Sequence, residues 1–339
     1  MQNSSNEKVL IINTGGTIGM KLTENGYAPV KDYLFDKIKQ IDDFRNGKLP
    51  DWDYIEFDTL LDSSSISVPE WNEIASTIYE KYDDYAGFVI LHGTDTMSYT
   101  ASALSFMLEG LDKPVVLTGA QIPLNELRSD GKDNLVTSVI IASQKVVKEV
   151  CLCFGTKLLR GNRSTKISAD NLVAFDSPNY PHLADIGIDI KYNYDALKKP
   201  SATHRSLCKF SHFPIGVLKI FPGMQFGLFE NILTDTLSAV VIETFGTGNI
   251  PLNGNELLPT LKKAFEANTI VTVCSQCLSG TVSLGAYQTS SPLKKAGAVS
   301  GKDMTTESAV AKLYYLFSRG YDTETIKKLM EKNLVGELT

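Results

Sequence analysis

The sequence predicts a two-domain α/β protein: a larger N-terminal, mainly parallel sheet flanked by helices, and a smaller C-terminal α/β domain. Three observations carry that reading. Short β-branched runs alternate with helical patterns throughout, and strands separated by helices of about 10–15 residues build parallel sheets through crossover connections. The alternation breaks over residues 191–212. Finally, the chain has 339 residues, which at about 150 per domain makes roughly two domains.

KVLIIN (Lys8 to Asn13) is an apolar run of strand length, stopped by Gly15 and Gly16. Ser67-Val68-Pro69-Glu70 has the spacing of a helix capping box with an early proline. Ile74, Ala75, Ile78, Tyr79 and Tyr82 then recur with a helical period. GFVIL (Gly87 to Leu91) predicts a strand, HGTDT a turn, and Met97 to Glu109 a helix with Ala103, Leu104, Met107, Leu108 and Leu111 on one apolar face. The strand PVVLTG leads through a long polar loop into a helix from Asp130 to Val147. KYNYDALKKPSATHRSLCKFSH keeps no period and reads as the linker, so the expected domains are residues 1–190 and 213–339. Beyond it come GVLKIFPG, LSAVVIETFG, a helix from Asn255 to Ala267, TIVTVCSQC, and helices at Thr305 to Ser318 and Thr323 to Lys332.

Composition narrows the function. The chain is 43% hydrophobic and 21% charged, ordinary globular usage. With 33 Lys and Arg against 39 Asp and Glu, the net charge is −6, and no patch suited to neutralising phosphates stands out. A nucleic-acid partner is therefore not expected, nor a membrane surface. No apolar run approaches the roughly 18 residues of a membrane span. The opening MQNSSNEKVLIIN lacks the basic start and apolar stretch of a secretory signal. Five cysteines, an odd number, fit a reducing compartment, so a cytoplasmic location is expected.

In open parallel sheets, ligands bind beyond the carboxyl ends of the strands. Four loops there are rich in hydroxyl, carboxyl and glycine. TGGTIGM (Thr14 to Met20) leaves the Thr17 hydroxyl at the mouth of the sheet; it reads either as a strand-ending turn or as a site. It has neither the GxGxxG spacing nor the lysine of a phosphate-binding loop. HGTDTMSYTASAL sets Thr94 and Asp95 before a helix, as caps or as chemistry, and two threonines around an aspartate exceed what one cap needs. His92 alone reads as structural. LLDSSSI supplies Asp62, Ser63 and Ser64, and by itself is only a loop. In LLRGNRSTKISADN, spacing alone would leave Lys166 solvated; burial or neighbouring cations would be needed to lower its pKa toward neutrality.

Two other chemistries are disfavoured. The pairs Cys151/Cys153 and Cys274/Cys277 have no histidine at zinc-ligand spacing and sit in or at the end of apolar runs, so core cysteines are expected and no metal. There is no G-x-S-x-G elbow for a serine hydrolase.

TGGTIGM and HGTDTMSYTASALSFMLEGLDKPVVLTGAQIPLNELRSDG together resemble the two signature segments of the asparaginase/glutaminase family. RGNRSTK, the GTGN at Gly246 to Asn249 and AGAVSGKDMTTESAVAKLYYL extend the resemblance over nearly the whole chain. LLDSSS places it nearest the bacterial cytoplasmic type I branch. The resemblance implies two α/β domains, no cofactor, and a homodimer or homotetramer built from intimate dimers, with each active site between one subunit's N-terminal domain and its neighbour's C-terminal domain. The implied reaction is hydrolysis of L-asparagine to L-aspartate and ammonia through a covalent acyl-enzyme. Thr17 matches the nucleophile and Tyr27 the tyrosine of the mobile loop. Thr94, Asp95 and Lys166 match the second cluster, while Asp62, Ser63 and Ser64 match the segment holding the substrate's α-groups. Asn249 would contribute from a neighbouring subunit. Whether Tyr27 or Lys166 activates the nucleophile stays open. A broader glutaminase-asparaginase and a non-catalytic amino-acid-binding module are the alternatives. One departure stands out: some members bind an activating asparagine through an arginine in the segment reading VVIETFG here, where this chain has Glu243. A carboxylate repels a ligand's α-carboxylate, so weak or absent activation is expected, seen as a hyperbolic rate curve.

Overall fold

Val9–Gly15 is buried along its whole length, the pattern of a strand covered on both faces of a parallel sheet. In the computed structural model, which describes residues 8–24, 26–199, 204–251, 257–286 and 288–339, this strand sits inside an eight-stranded sheet. Its neighbours are Trp52–Leu61 and Gly87–Leu91, both parallel to it. Val115–Thr118 and Val150–Phe154 continue the parallel run. Lys157–Arg160, Ala184–Ile186 and Ile190–Tyr192 then complete the sheet with antiparallel pairings.

The helix Gly131–Ser143 turns Leu135, Val139 and Ala142 into a cluster with Val9, Ile11, Val89, Leu91 and Val116. The helix Met97–Met107 is buried on nearly every side, including Ser98, Thr100 and Ser102, rather than on one apolar face. It stops at Met107 because Leu108–Glu109 pairs instead with Ser206–Leu207. The predicted capping box forms: the Ser67 N–H donates to Glu70 Oε2 at 2.7 Å, opening the helix Val68–Glu80.

The chain divides into two units, residues 1–207 and 208–339. Much of the aperiodic stretch 191–212 is bound within the first. Arg205 pairs with Asp83 at 2.7 and 3.0 Å. A buried pair, Arg160 and Glu149, accepts the chain nearby: Arg160 donates to the Ala196 carbonyl at 3.0 Å, and Glu149 takes the Lys198 N–H at 2.9 Å. Such anchoring uses single side chains and carries no periodicity, which is why the stretch looks like a linker in sequence.

The second unit holds four parallel strands, Ile215–Lys219, Ala239–Thr244, Ile270–Ser275 and Val299–Ser300, in that order. The helix Leu257–Glu266 buries Leu257, Leu261 and Ala264; the predicted start at Asn255 lies outside the described residues. Within the helix Thr306–Ser318, Lys312 is wholly buried and pairs with the equally buried Glu337 at 2.6 Å. Its ammonium also donates to the carbonyls of Met330 and Lys332. Glu337 in turn accepts the N–H groups of Leu334 and Val335. The result is a closed polar knot in which both charges have several hydrogen-bond partners.

Candidate active site

The carboxyl ends of three strands meet through glycine. Gly15 and Gly16 have φ of +116° and +87°, the left-handed side that glycine takes without strain. A Cβ on Gly16 would lie 2.3 Å from the Gly93 nitrogen, and one on Gly15 would lie 2.2 Å from the Leu61 oxygen. No side chain fits at either position. The backbone approach brings the turn Thr17–Gly19 beside the loop after Gly87–Leu91 and the end of Trp52–Leu61. Thr17 opens that turn half-buried, and among the described residues none hydrogen-bonds its hydroxyl.

Ser63 is buried against Gly93, and its carbonyl accepts the Thr96 hydroxyl at 2.7 Å. Asp62 and Ser64 are exposed, the Asp62 carboxylate taking the Ser64 N–H at 2.9 Å.

Thr94 and Asp95 do not cap the next helix, whose N-cap is Thr96. They face Lys166 instead. The Lys166 ammonium donates to Thr94 Oγ1 at 2.9 Å and to Asp95 Oδ1 at 2.7 Å. Lys166 reaches them from the short strand Thr165–Lys166, paired with Phe175–Asp176. Its side chain is only 19% exposed, against 64% for Asp95, so the expectation of a solvated lysine from spacing alone gives way to an anchored one. Sequence reasoning missed Gln121, in the loop after Val115–Thr118. Its Oε1 accepts the Thr94 hydroxyl at 3.1 Å, and the signals were its place after a parallel strand and within the second signature segment.

His92 is structural, as its sequence setting suggested. Nδ1 faces the Gly93 carbonyl at 2.7 Å, which can only accept, so Nδ1 carries the proton and Nε2 accepts from Thr100 Oγ1 at 2.8 Å. The Trp71 indole N–H donates to that same hydroxyl at 3.0 Å. Complete burial pushes the His92 pKa down from 6.5 to about 4. The sign follows from proton counts. Above 6.5 neither state is protonated there and stability is full; between 6.5 and about 4 only the unfolded chain takes the proton, so stability falls as pH drops. Between about pH 7 and 4.5, the unfolding free energy is expected to lose about 2–3 kcal/mol through this group. His92→Asn, measured by urea unfolding at both pH values, is expected to lack that share of the slope. An unchanged slope assigns the pH dependence to other groups.

Tyr27 lies exposed on Gly26–Pro29, hydrogen-bonded as a hairpin to Met20–Thr23 and packed beside the Thr17–Gly19 turn. Partial desolvation, then the Glu126 carboxylate, raise its phenol pKa above the ordinary value. Within the second unit, Asn249 Oδ1 accepts the Thr289 hydroxyl at 2.7 Å. Glu243, half-buried, accepts the Thr306 hydroxyl at 2.6 Å and has Lys219 3.7 Å away. Cys151, Cys153 and Cys274 are buried in their strands. Cys277 is exposed, because that strand ends at Ser275. Among the described residues, no three His, Cys, Asp or Glu side chains form a group that could hold a metal ion.

Hydroxyls, a carboxylate and an anchored lysine thus gather in loops at the carboxyl ends of a parallel sheet, where α/β proteins of this kind hold their ligands. Comparison with known proteins gives the family. Residues 8–198 match the family model described as "Asparaginase, N-terminal", and residues 214–330 match "Glutaminase/Asparaginase C-terminal domain". The chain belongs to the asparaginase family. It is 45% identical over 337 residues to "L-asparaginase 1" of Escherichia coli (strain K12), with 98% of each chain covered. The crystal structure of L-asparaginase I from Vibrio cholerae superposes with a TM-score of 0.90 at 42% identity, covering 98% of this chain and 99% of that one. The thermostable L-asparaginase from Thermococcus kodakarensis gives 0.87 at 32% identity, again over 98% and 99%.

Proposed function

We propose that the chain hydrolyses the side-chain amide of L-asparagine to L-aspartate and ammonia, with Thr17 as the nucleophile. The observation that carries the reading is the Lys166 ammonium bonded at once to Thr94 and Asp95, beside a turn that presents a Thr17 hydroxyl with no hydrogen bond among the described residues. An amide carbon is a poor electrophile, so a hydroxyl needs a base near it and a holder for the developing oxyanion. In the first half-reaction Thr17 Oγ bonds to the amide carbon and yields its proton to a neighbouring base. The C–N bond breaks, and the nitrogen leaves as ammonia after gaining that proton. In the second half-reaction water adds to the carbonyl carbon of the β-aspartyl ester, the bond from that carbon to Thr17 Oγ breaks, and Oγ takes up the proton that the water gives up.

Thr94 and the Lys166 ammonium position the hydrolytic water, while Tyr27 closes over the nucleophile from its exposed hairpin. Asp95, the most exposed of the linked set, suits gripping the substrate ammonium while orienting Lys166. Asp62, Ser63 and Ser64 form the wall for the α-amino and α-carboxylate groups. Asn249 completes the site from a neighbouring subunit of a homodimer or homotetramer, and the enzyme works in the cytoplasm without a cofactor.

The test is ammonia release from L-asparagine, D-asparagine and L-glutamine by the purified protein. L-Asparagine is expected to be the best substrate. Glutamine, longer by one methylene, is discriminated by about 1–3 kcal/mol and retains some activity. No release from any of the three by folded protein overturns the reading in favour of a binding module.

A further inference from the structure

Gln121 joins the two halves of the cluster, and its amide has one orientation that satisfies every neighbour. Nε2 donates to the carbonyls of Ala169 and Asn171, each at 3.2 Å. Those oxygens can only accept, so the NH₂ group must face them and Oε1 must face Thr94. Thr94 has a single hydroxyl proton. With Oε1 accepting at 3.1 Å, that proton is committed to Gln121, and the oxygen lone pairs of Thr94 are left for the Lys166 ammonium at 2.9 Å. The direction of the Thr94–Lys166 hydrogen bond is therefore set by a third residue. The carbonyls of Ala169 and Asn171 also belong to the turn that follows Lys166, so one side chain fastens both the hydroxyl and the segment bearing the lysine.

Gln121 is itself held from behind. Its N–H donates to both oxygens of Asp130 at 3.0 and 3.1 Å, and the Ile122 N–H donates to Asp130 at 3.1 Å. Asn134, one turn along the helix Gly131–Ser143, ties Asp130 to the Gly119 carbonyl. A long, otherwise flexible side chain thus projects from a fixed base, the condition under which an amide can orient a reacting group.

We propose that Gln121 is a positioning residue: it keeps the Thr94 hydroxyl turned so that Lys166 donates to it, and it holds the 167–174 turn in place. This rests on the reading of Thr94 and Lys166 given under Proposed function. Gln121→Met removes the acceptor and both donors at similar length. Gln121→Glu keeps the acceptor but sets a carboxylate against two carbonyls; once protonated, it again has one O–H to donate.

Steady-state kinetics on L-asparagine across about pH 5–9, with thermal melting of each variant, test the assignment. Activity of the unaltered protein is measured first, and its absence would fail the functional reading rather than this one. For Gln121→Met, kcat is expected to fall about 10–30-fold at every pH, with KM within about threefold. For Gln121→Glu, kcat relative to the unaltered protein is expected to be equally low at the alkaline end and to recover to within about threefold toward pH 5. A purely space-filling role would not produce that acid recovery. The assignment is overturned if Gln121→Met keeps kcat within twofold, if its loss falls on KM alone, or if the Gln121→Glu ratio does not change with pH.

Discussion

Thr17→Ala is expected to lose ammonia release from L-asparagine by at least ~10³-fold, while substrate binding changes by less than about tenfold. The size of the first effect follows from the proposed two-step route, which has no covalent intermediate without the hydroxyl. The smallness of the second follows from the structure. Among the described residues nothing hydrogen-bonds the Thr17 side chain, so its removal leaves no buried group unpaired and the turn is held by backbone. Gly19 N–H donates to the Gly16 carbonyl at 3.1 Å, and Leu124 N–H to the Ile18 carbonyl at 3.1 Å, whatever stands at position 17. Thr17→Ser keeps the nucleophilic oxygen and is expected to retain measurable turnover. An alanine variant within tenfold of the unaltered kcat would move the nucleophile elsewhere, with the Thr94 hydroxyl the next to test.

The largest expected stability effect lies in the second unit. Lys312→Met removes the ammonium that pairs at 2.6 Å with the wholly buried Glu337, and breaking a buried pair from one side costs about 3–5 kcal/mol. The two backbone N–H groups that Glu337 accepts remain, but they do not cancel a full charge. The double variant Lys312→Met, Glu337→Leu removes both charges and is expected to recover most of the loss, because the penalty comes from a buried carboxylate that has lost its ammonium and not from the absence of the pair. Urea unfolding read on the transition of this unit checks both. A single variant within about 1 kcal/mol of the unaltered chain would mean that water reaches Glu337.

The frame of the fold was legible where burial is complete. Val9–Gly15, Gly87–Leu91 and Ala239–Thr244 are continuous apolar runs because both faces of their sheets are covered. Trp52–Leu61 was not legible. It lies at the sheet edge, is buried mainly at Phe57, and its sequence WDYIEFDTLL mixes charge through the run. The two outermost strands at the other edge, Ala184–Ile186 and Ile190–Tyr192, are short and half-polar for the same reason. At the site, Thr17, Thr94 and Asp95 stood out as hydroxyl and carboxyl groups in loops after strands. Lys166 did not, since its anchoring depends on partners 71 and 72 residues away, and Gln121 did not, since its amide acts only through neighbours drawn from two other loops.

The hydrogen-bonded file from Trp71 through Thr100 to His92 ends one residue short of Gly93 and two short of Thr94. The chain contains only one other tryptophan, Trp52, which pairs with Val9 at the opposite end of the strands. A spectrum of the two indole N–H protons therefore carries a signal wired to the loop that bears Thr94 and an internal reference remote from it. If substrate sits on the Thr94 loop as proposed, binding is expected to move the first peak against the second.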